Sequence, residues 1–220
     1  LQPRIDLLEC ANEVNNKWFR TIINKYHSYM EYKDTCNRRI NWLVFINEKL
    51  SGAIGINNAL LALSVRDKWI GWSKEQRLKH LNNIANNYRF AMMERGFGGK
   101  VLSRLCKIAP KLWEHRYGDI LVLLESLVLP PWTGTVYKAN NWVYIGETKG
   151  FSFSKAPLSL WQKENSKRGE LARQNPRAAI SKYAIGHQHY NIKISKPKLV
   201  FIKPLCKDWQ TTCKDRGEVL

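Results

Sequence analysis

Acidic residues are scarce: 18 Asp and Glu stand against 36 Lys and Arg in 220 residues, leaving a formal charge of +18. A surplus of that size creates a long-range field that attracts polyanions. Paired cysteines are missing too. Cys10, Cys36, Cys106, Cys206 and Cys213 are odd in number, include no CxxC, and have no metal-ligand spacing with the five histidines, so neither a disulfide framework nor a metal site is expected. A reducing, cytoplasmic setting follows. The longest apolar run, Ile120 to Pro131, is interrupted by Glu125 and falls well short of the ~20 residues that cross a bilayer. Leu1-Gln2-Pro3-Arg4-Ile5-Asp6 has no basic region leading into an apolar stretch, so no secretory signal is expected. A basic amphipathic helix with a broad apolar face is also lacking, which argues against a lipid surface.

What the chain does have is material for a core. Hydrophobic residues make up 44% and aromatics 11%, with nine Trp, enough burial to support a packed fold. The length suits one domain, 1–220, with appendages.

Leu7, Leu8, Ala11, Val14, Trp18, Ile22 and Tyr26 recur at steps of three or four, predicting a helix over 7–30 capped by Asp6 and a helical part over 1–40. Residues 41–46 and 52–56 flank a short polar turn and read as a hairpin of buried strands. Ser73-Lys74-Glu75-Gln76 is a capping box opening a helix over 73–87. A strand over Tyr88 to Met93, the break Gly96-Phe97-Gly98-Gly99, and a helix from Lys100 to Lys107 follow. A short helix is expected around Trp113 after Pro110. Ile120 to Val128 reads as a central strand, 133–140 as a helix, and 142–145 and 199–202 as strands. Residues 151–198 are polar, basic and weakly periodic, and read as an extended or partly helical insertion. From 151 onward 14 Lys and Arg stand against five acids, +9 and half of the surplus. Lys149, Lys155, Lys163, Lys167, Arg168, Arg173, Arg177 and Lys182 are therefore the expected phosphate contacts of a nucleic acid, DNA before RNA.

Four features suit chemistry. Gly96, Gly98 and Gly99 with Lys100 open a helix, so backbone amides, helix dipole and ammonium can together hold an anion; a turn needing positive φ explains the glycines equally well. Glu125 in an apolar strand must have a raised pKa or a partner, either a proton acceptor or an ion pair with Arg89 or Lys138. Tyr137 suits proton donation or the core, and Trp142 or Trp132 suits stacking on a base or packing. His27, in Tyr26-His27-Ser28-Tyr29, is the side chain best matched to proton transfer near neutrality, although a lone His is commonly surface. His187-Gln188-His189 has no companion ligands and suits phosphate or surface contacts.

The segments Arg66-Asp67-Lys68-Trp69-Ile70-Gly71-Trp72-Ser73, Asn86-Asn87-Tyr88-Arg89-Phe90 and Gly134-Thr135-Val136-Tyr137-Lys138-Ala139-Asn140-Asn141-Trp142 resemble the DruA family, named for the Druantia anti-phage system, in order from about Tyr26 to Trp209. More distantly, the last segment, the early His and Tyr, and Arg89 with Ser103 are similar to the phage Mom DNA-modification proteins and, through them, to GCN5-related acyltransferases. That resemblance implies an α/β fold, a mixed central sheet flanked by helices, with an acyl-donor groove beside the strand carrying Arg89. It implies that His27, Tyr29, Arg89, Ser103, Glu125, Tyr137 and Trp142 face one cleft, and that acyl-coenzyme A is a candidate donor. The acyltransferase phosphate loop carries a small residue where Lys100 stands, and the DruA turn a proline and an asparagine at Gly99 and Lys100. The compartment implied is a bacterial cell, or the host cytoplasm for a phage-encoded chain. The expected function is small-group transfer to an exocyclic amine of a DNA base. Two alternatives stay open: a non-catalytic DNA-binding subunit of a defence or mobile-element system, and acyl transfer to a small molecule or protein.

Overall fold

Alternating apolar residues along the strands, facing two sets of helices, organise the chain. The computed structural model describes residues 2–27, 32, 38–155 and 190–213. The strands are β1 (Ile5–Glu9), β2 (Arg39–Ile46), β3 (Lys49–Asn58), β4 (Ile84–Met92), β5 (Leu123–Val128), β6 (Val143–Glu147), β7 (Phe151–Lys155), β8 (Tyr190–Ile194) and β9 (Leu199–Pro204). Seven form one mixed sheet in the order β1-β2-β3-β4-β5-β9-β6. β1 with β2, β2 with β3, β3 with β4 and β5 with β9 pair antiparallel, and β4 with β5 pairs parallel. The helices are α1 (Glu13–Tyr26), α2 (Ser64–Ile70), α3 (Lys74–His80), α4 (Gly98–Tyr117), α5 (Thr135–Ala139) and α6 (Trp209–Cys213). The expected mixed α/β fold, a central sheet flanked by helices, is what the chain adopts.

One face of the sheet places Ile40, Trp42, Ile54 and Ile56 against Val101, Leu102, Leu105 and Trp113 of α4. The other places Leu43, Ala53 and Ala91 against Phe19, Ile22 and Ile23 of α1. The chain divides into two compact units, Leu1–Gly146 with Leu199–Leu220, and Glu147–Lys198. In the second unit β7 pairs antiparallel with β8, and Thr148 and Lys198 bond to each other through backbone and hydroxyl.

Several expectations are corrected. Residues 5–9 form an edge strand on β2 rather than the start of a helix, because Asn12, not Asp6, caps α1, its side chain accepting from the Asn15 N–H at 2.9 Å. The buried face of α1 is Phe19, Ile22 and Ile23, whereas Val14 and Trp18 are exposed. The helix opened by the capping box stops at His80, and after one 3-10 turn β4 begins at Ile84, four residues earlier than expected. Helix α4 runs through Pro110 without stopping, since Ala109 and Trp113 on either side of it are fully buried. Helix α2 was not anticipated: Leu63 provides no side-chain cap.

Candidate functional site

The parallel pair at the centre of the sheet is short. β4 meets β5 only at Ile84, Ala85 and Asn86, opposite Leu123, Leu124 and Glu125. Beyond Asn86 both strands continue without pairing each other, so a wedge opens between them. There β4 carries a bulge: Gly55 faces Arg89 and Ile56 faces Asn87, leaving Tyr88 without a partner on β3.

Gly55 makes the bulge possible. A Cβ there would lie 2.6 Å from Asn41 Oδ1 and 2.8 Å from the Tyr88 ring, so only glycine admits both. Buried Asn87 closes the bulge by donating to the carbonyls of Gly55 (3.0 Å) and Arg89 (3.2 Å). Its Oδ1 accepts from the Tyr137 hydroxyl at 2.8 Å, and its backbone carbonyl accepts from the Ser126 hydroxyl of β5 at 3.3 Å. One side chain thus links β3, β4 and α5 where the wedge begins.

The residues expected in one cleft are divided by the sheet. Tyr137 and Trp142 lie in the α4-side core, edge to face with each other, and Tyr137 also stacks on Phe201. Trp142 is 4% exposed and offers no free face to a base; of the two tryptophans expected to stack, Trp132 is the exposed one. Ser103, exposed on α4, accepts from Asn140 Nδ2 at 2.6 Å, and the same amide donates to the Gly99 carbonyl. On the other face, Tyr88 donates to Asn41 Oδ1, and the Arg89 guanidinium lies 5.1 Å from the Tyr88 ring centroid while donating to the Tyr88 carbonyl. His27, the C-terminal cap of α1, belongs to this cluster. Burial, and then the positive charge of Arg89, bring its pKa down from 6.5 to about 4, so it is neutral at pH 7. Burial raises the Tyr88 pKa above its usual range. Beyond Asn41 a polar cavity of about 310 Å³ opens between Glu9, Asn16, Arg39 and Arg116.

Glu125 belongs to neither cluster. It is fully buried and ion-paired with equally buried Arg66 at 2.9 Å, while its other oxygen accepts from the Leu60 N–H at 2.7 Å. This corrects the expected partners, Arg89 and Lys138. Arg66 also bonds the Leu60 carbonyl and Asp67, which is paired in turn with Arg77. Burial raises the Glu125 pKa and the Arg66 guanidinium opposes the shift.

At the far end of β4 the glycine turn leads into α4. Gly96 has φ +93°, and a Cβ on Gly96 or Gly99 would meet nothing within 4 Å. At Gly98 it would strike Val136 of α5 at 2.7 Å, so close helix packing accounts for that glycine. Phe97 gives no side-chain cap and the first turn holds no acid, leaving the N-terminal dipole of a 20-residue helix beside exposed Lys100.

Tyr29, Lys163, Lys167, Arg168, Arg173, Arg177, Lys182, His187 and His189 lie outside the described residues. Lys149 is exposed; Lys155 ends β7. Among the described residues no group of three His, Cys, Asp or Glu is placed to hold a metal, and no helix is long and apolar enough to cross a membrane. Asn87, Asn41 and Arg66 are the site residues that sequence reasoning missed. Only Arg66 had a signal: a buried Glu125 requires a cation.

Among solved structures the chain is similar to FeeM, an N-acyl amino acid synthase from uncultured soil microbes, at 13% identity over 94% of each chain and a TM-score of 0.48. It is similar to a spermidine N-acetyltransferase from Vibrio cholerae at 9% identity, over 93% of this chain and 96% of that one, with a TM-score of 0.45. An N-acetyltransferase from Staphylococcus aureus is 10% identical over 93% and 99%, with a TM-score of 0.42. No curated protein matches. The family described as Druantia protein DruA matches over residues 2–215, and the chain belongs to that family.

Proposed function

We propose that this protein binds DNA and transfers a small acyl group to an exocyclic amine of a base. The observation that carries the reading is the wedge between β4 and β5, with a bulge at its origin and an uncapped glycine-rich helix start at the end of the same strand. A parallel pair that ends after three residues leaves backbone groups beyond Asn86 without a ladder between the two strands, a place where an extended ligand can lie against β4.

The donor end fits a diphosphate. Gly98, Gly99 and Lys100 are the residues that would hold that part of an acyl-coenzyme A, with backbone amides and one full charge where no acid competes. When bound, that group supplies an activated thioester.

The acceptor end is the cluster of His27, Tyr88 and Arg89. An aromatic amine is a poor nucleophile because its lone pair is delocalised, but its nitrogen becomes strongly acidic once a bond to carbon forms. As the C–N bond formed, the thioester C–S bond would break and the thiolate leave with its electron pair, and a neutral His27 would be base enough to take the amine proton near pH 7, despite its lowered pKa. Glu125 is set aside as the base, since both of its oxygens are engaged by Arg66 and Leu60. Presenting a duplex base here would take base flipping, at a few kcal/mol.

A second reading, a DNA-binding subunit without catalysis, is favoured by one observation. Ser126 and Tyr137 both bond to Asn87, so the chain's own side chains lace the origin of the wedge. Mass spectrometry of nucleosides from DNA co-expressed with the protein separates the two. Transfer predicts a new nucleoside of raised mass that disappears with His27→Ala. An unaltered digest from cells whose DNA the protein binds in a salt-sensitive way would overturn transfer and leave the second reading.

A further inference from the structure

Helix α4 carries five basic residues and one acid, Glu114, in 20 positions. At about 100° per residue, Lys100, Arg104, Lys107 and Lys111 fall within about 60° of arc, on the side opposite Val101, Leu102, Leu105 and Ala109. The burial agrees: all four cations are exposed, and those four apolar residues are fully buried. None of the four cations is in an ion pair among the described residues, whereas Arg20, Arg38 and Lys49 elsewhere on the surface each meet an acid. The row spans about 16 Å at 1.5 Å per residue. Its first member is also the first exposed cation after the glycine turn.

The geometry points to Arg104, Lys107 and Lys111 as the track for a nucleic-acid backbone, running along α4 toward the mouth of the β4–β5 wedge, where Lys100 is left to the donor diphosphate. The inference rests on the nucleic-acid reading above and names which surface carries the contact. Three properties select phosphate over other polyanionic partners. The cations recur once per helical turn, as a regularly charged polymer requires. Exposed Ser103 adds a hydroxyl beside the row. Exposed large apolar side chains are absent from the row itself, while a protein interface centres on apolar anchors and a lipid surface on a buried apolar face. Ile108 and Leu112 fall outside this arc and pack partly against the core.

The test is a triple substitution, Arg104→Gln, Lys107→Gln and Lys111→Gln, which leaves Lys100 and the glycine turn intact. Binding to a short duplex and to the same sequence as a single strand is measured across a salt series. The slope of log affinity against log salt should become shallower by about 1 for each lost contact, close to 3 in all. Lys74→Gln with Lys79→Gln on α3 should leave the slope unchanged, and circular dichroism checks that both variants fold. A wild-type slope in the triple variant overturns the track while leaving DNA binding in place. A wild-type protein that binds neither nucleic acid overturns the track and the reading it rests on. Loss of binding to anionic vesicles or an acidic peptide, with DNA binding unchanged, assigns the row to a different partner and equally overturns it.

Discussion

Arg66 and Lys107 carry the same charge and teach opposite lessons. Arg66 is fully buried, and its guanidinium reaches Glu125, Asp67 and the Leu60 carbonyl while lying 5.6 Å from the Trp72 ring centroid. Removing any partner there leaves a charge in a low-dielectric interior. Lys107 points to solvent on α4 with no ion pair among the described residues, so it contributes almost nothing to folding and its field is free to act on something else. Burial separates these two charges: Arg66 is committed to the fold, and Lys107 is not.

The largest expected effect is on the buried side of that contrast. Glu125→Leu should lower stability by about 3–5 kcal/mol in denaturant unfolding, because Arg66 would be left charged and buried. Glu125→Leu combined with Arg66→Met should lose less than the single change does. A double variant as unstable as the sum of the two single changes would break the comparison. Asn87→Ala comes next, at about 1–3 kcal/mol, since it frees two buried carbonyls and the Tyr137 hydroxyl together.

His27 stands between the two classes, partly exposed and close to Arg89. Its folded pKa of about 4 lies below the unfolded 6.5, so the folded state binds fewer protons. Its contribution is complete above pH 6.5 and is lost as pH falls toward 4, on the order of 1 kcal/mol after discounting for exposure. His27→Gln should flatten stability across that window. The smallest effect belongs to the α4 row. Arg104→Gln, Lys107→Gln and Lys111→Gln should each change stability by less than about 0.5 kcal/mol. A larger loss would mean that the row is holding the fold.

The hairpin of β2 and β3, the capping box at Ser73, the strand through Glu125 and the α5 helix were legible because each is written locally, in alternation, turn residues or a cap. The edge strand β1 was not: Leu7 and Leu8 fit a helical period as well as a strand, and only pairing with β2 decides between them. Pro110 misled because its ring meets the preceding turn, and helix continuity there rests on burial of Ala109 and Trp113. In the candidate site, sequence indicated the residue types but not their grouping. That Glu125 needed a cation was readable; that Arg66, 59 positions away, supplies it depends on how β3 leads into α2. The bulge at Tyr88 was invisible, since nothing but the register against Gly55 creates it.

Strand β9 sits between β5 and β6, although its residues are synthesised more than 50 positions after β6 ends. Until Leu199–Pro204 leaves the ribosome, the outer edge of β5 has no partner and β6 has no neighbour in the sheet. Translation from β6 to β9 therefore keeps a hydrophobic edge uncovered, the state most exposed to mispairing with another chain. Closing the sheet across a long intervening segment costs only slightly more entropy than closing it across a short one, because that cost grows only logarithmically with length. The vulnerability lies in timing, and slowed translation between 147 and 198 should lower soluble yield without altering the stability of the finished protein.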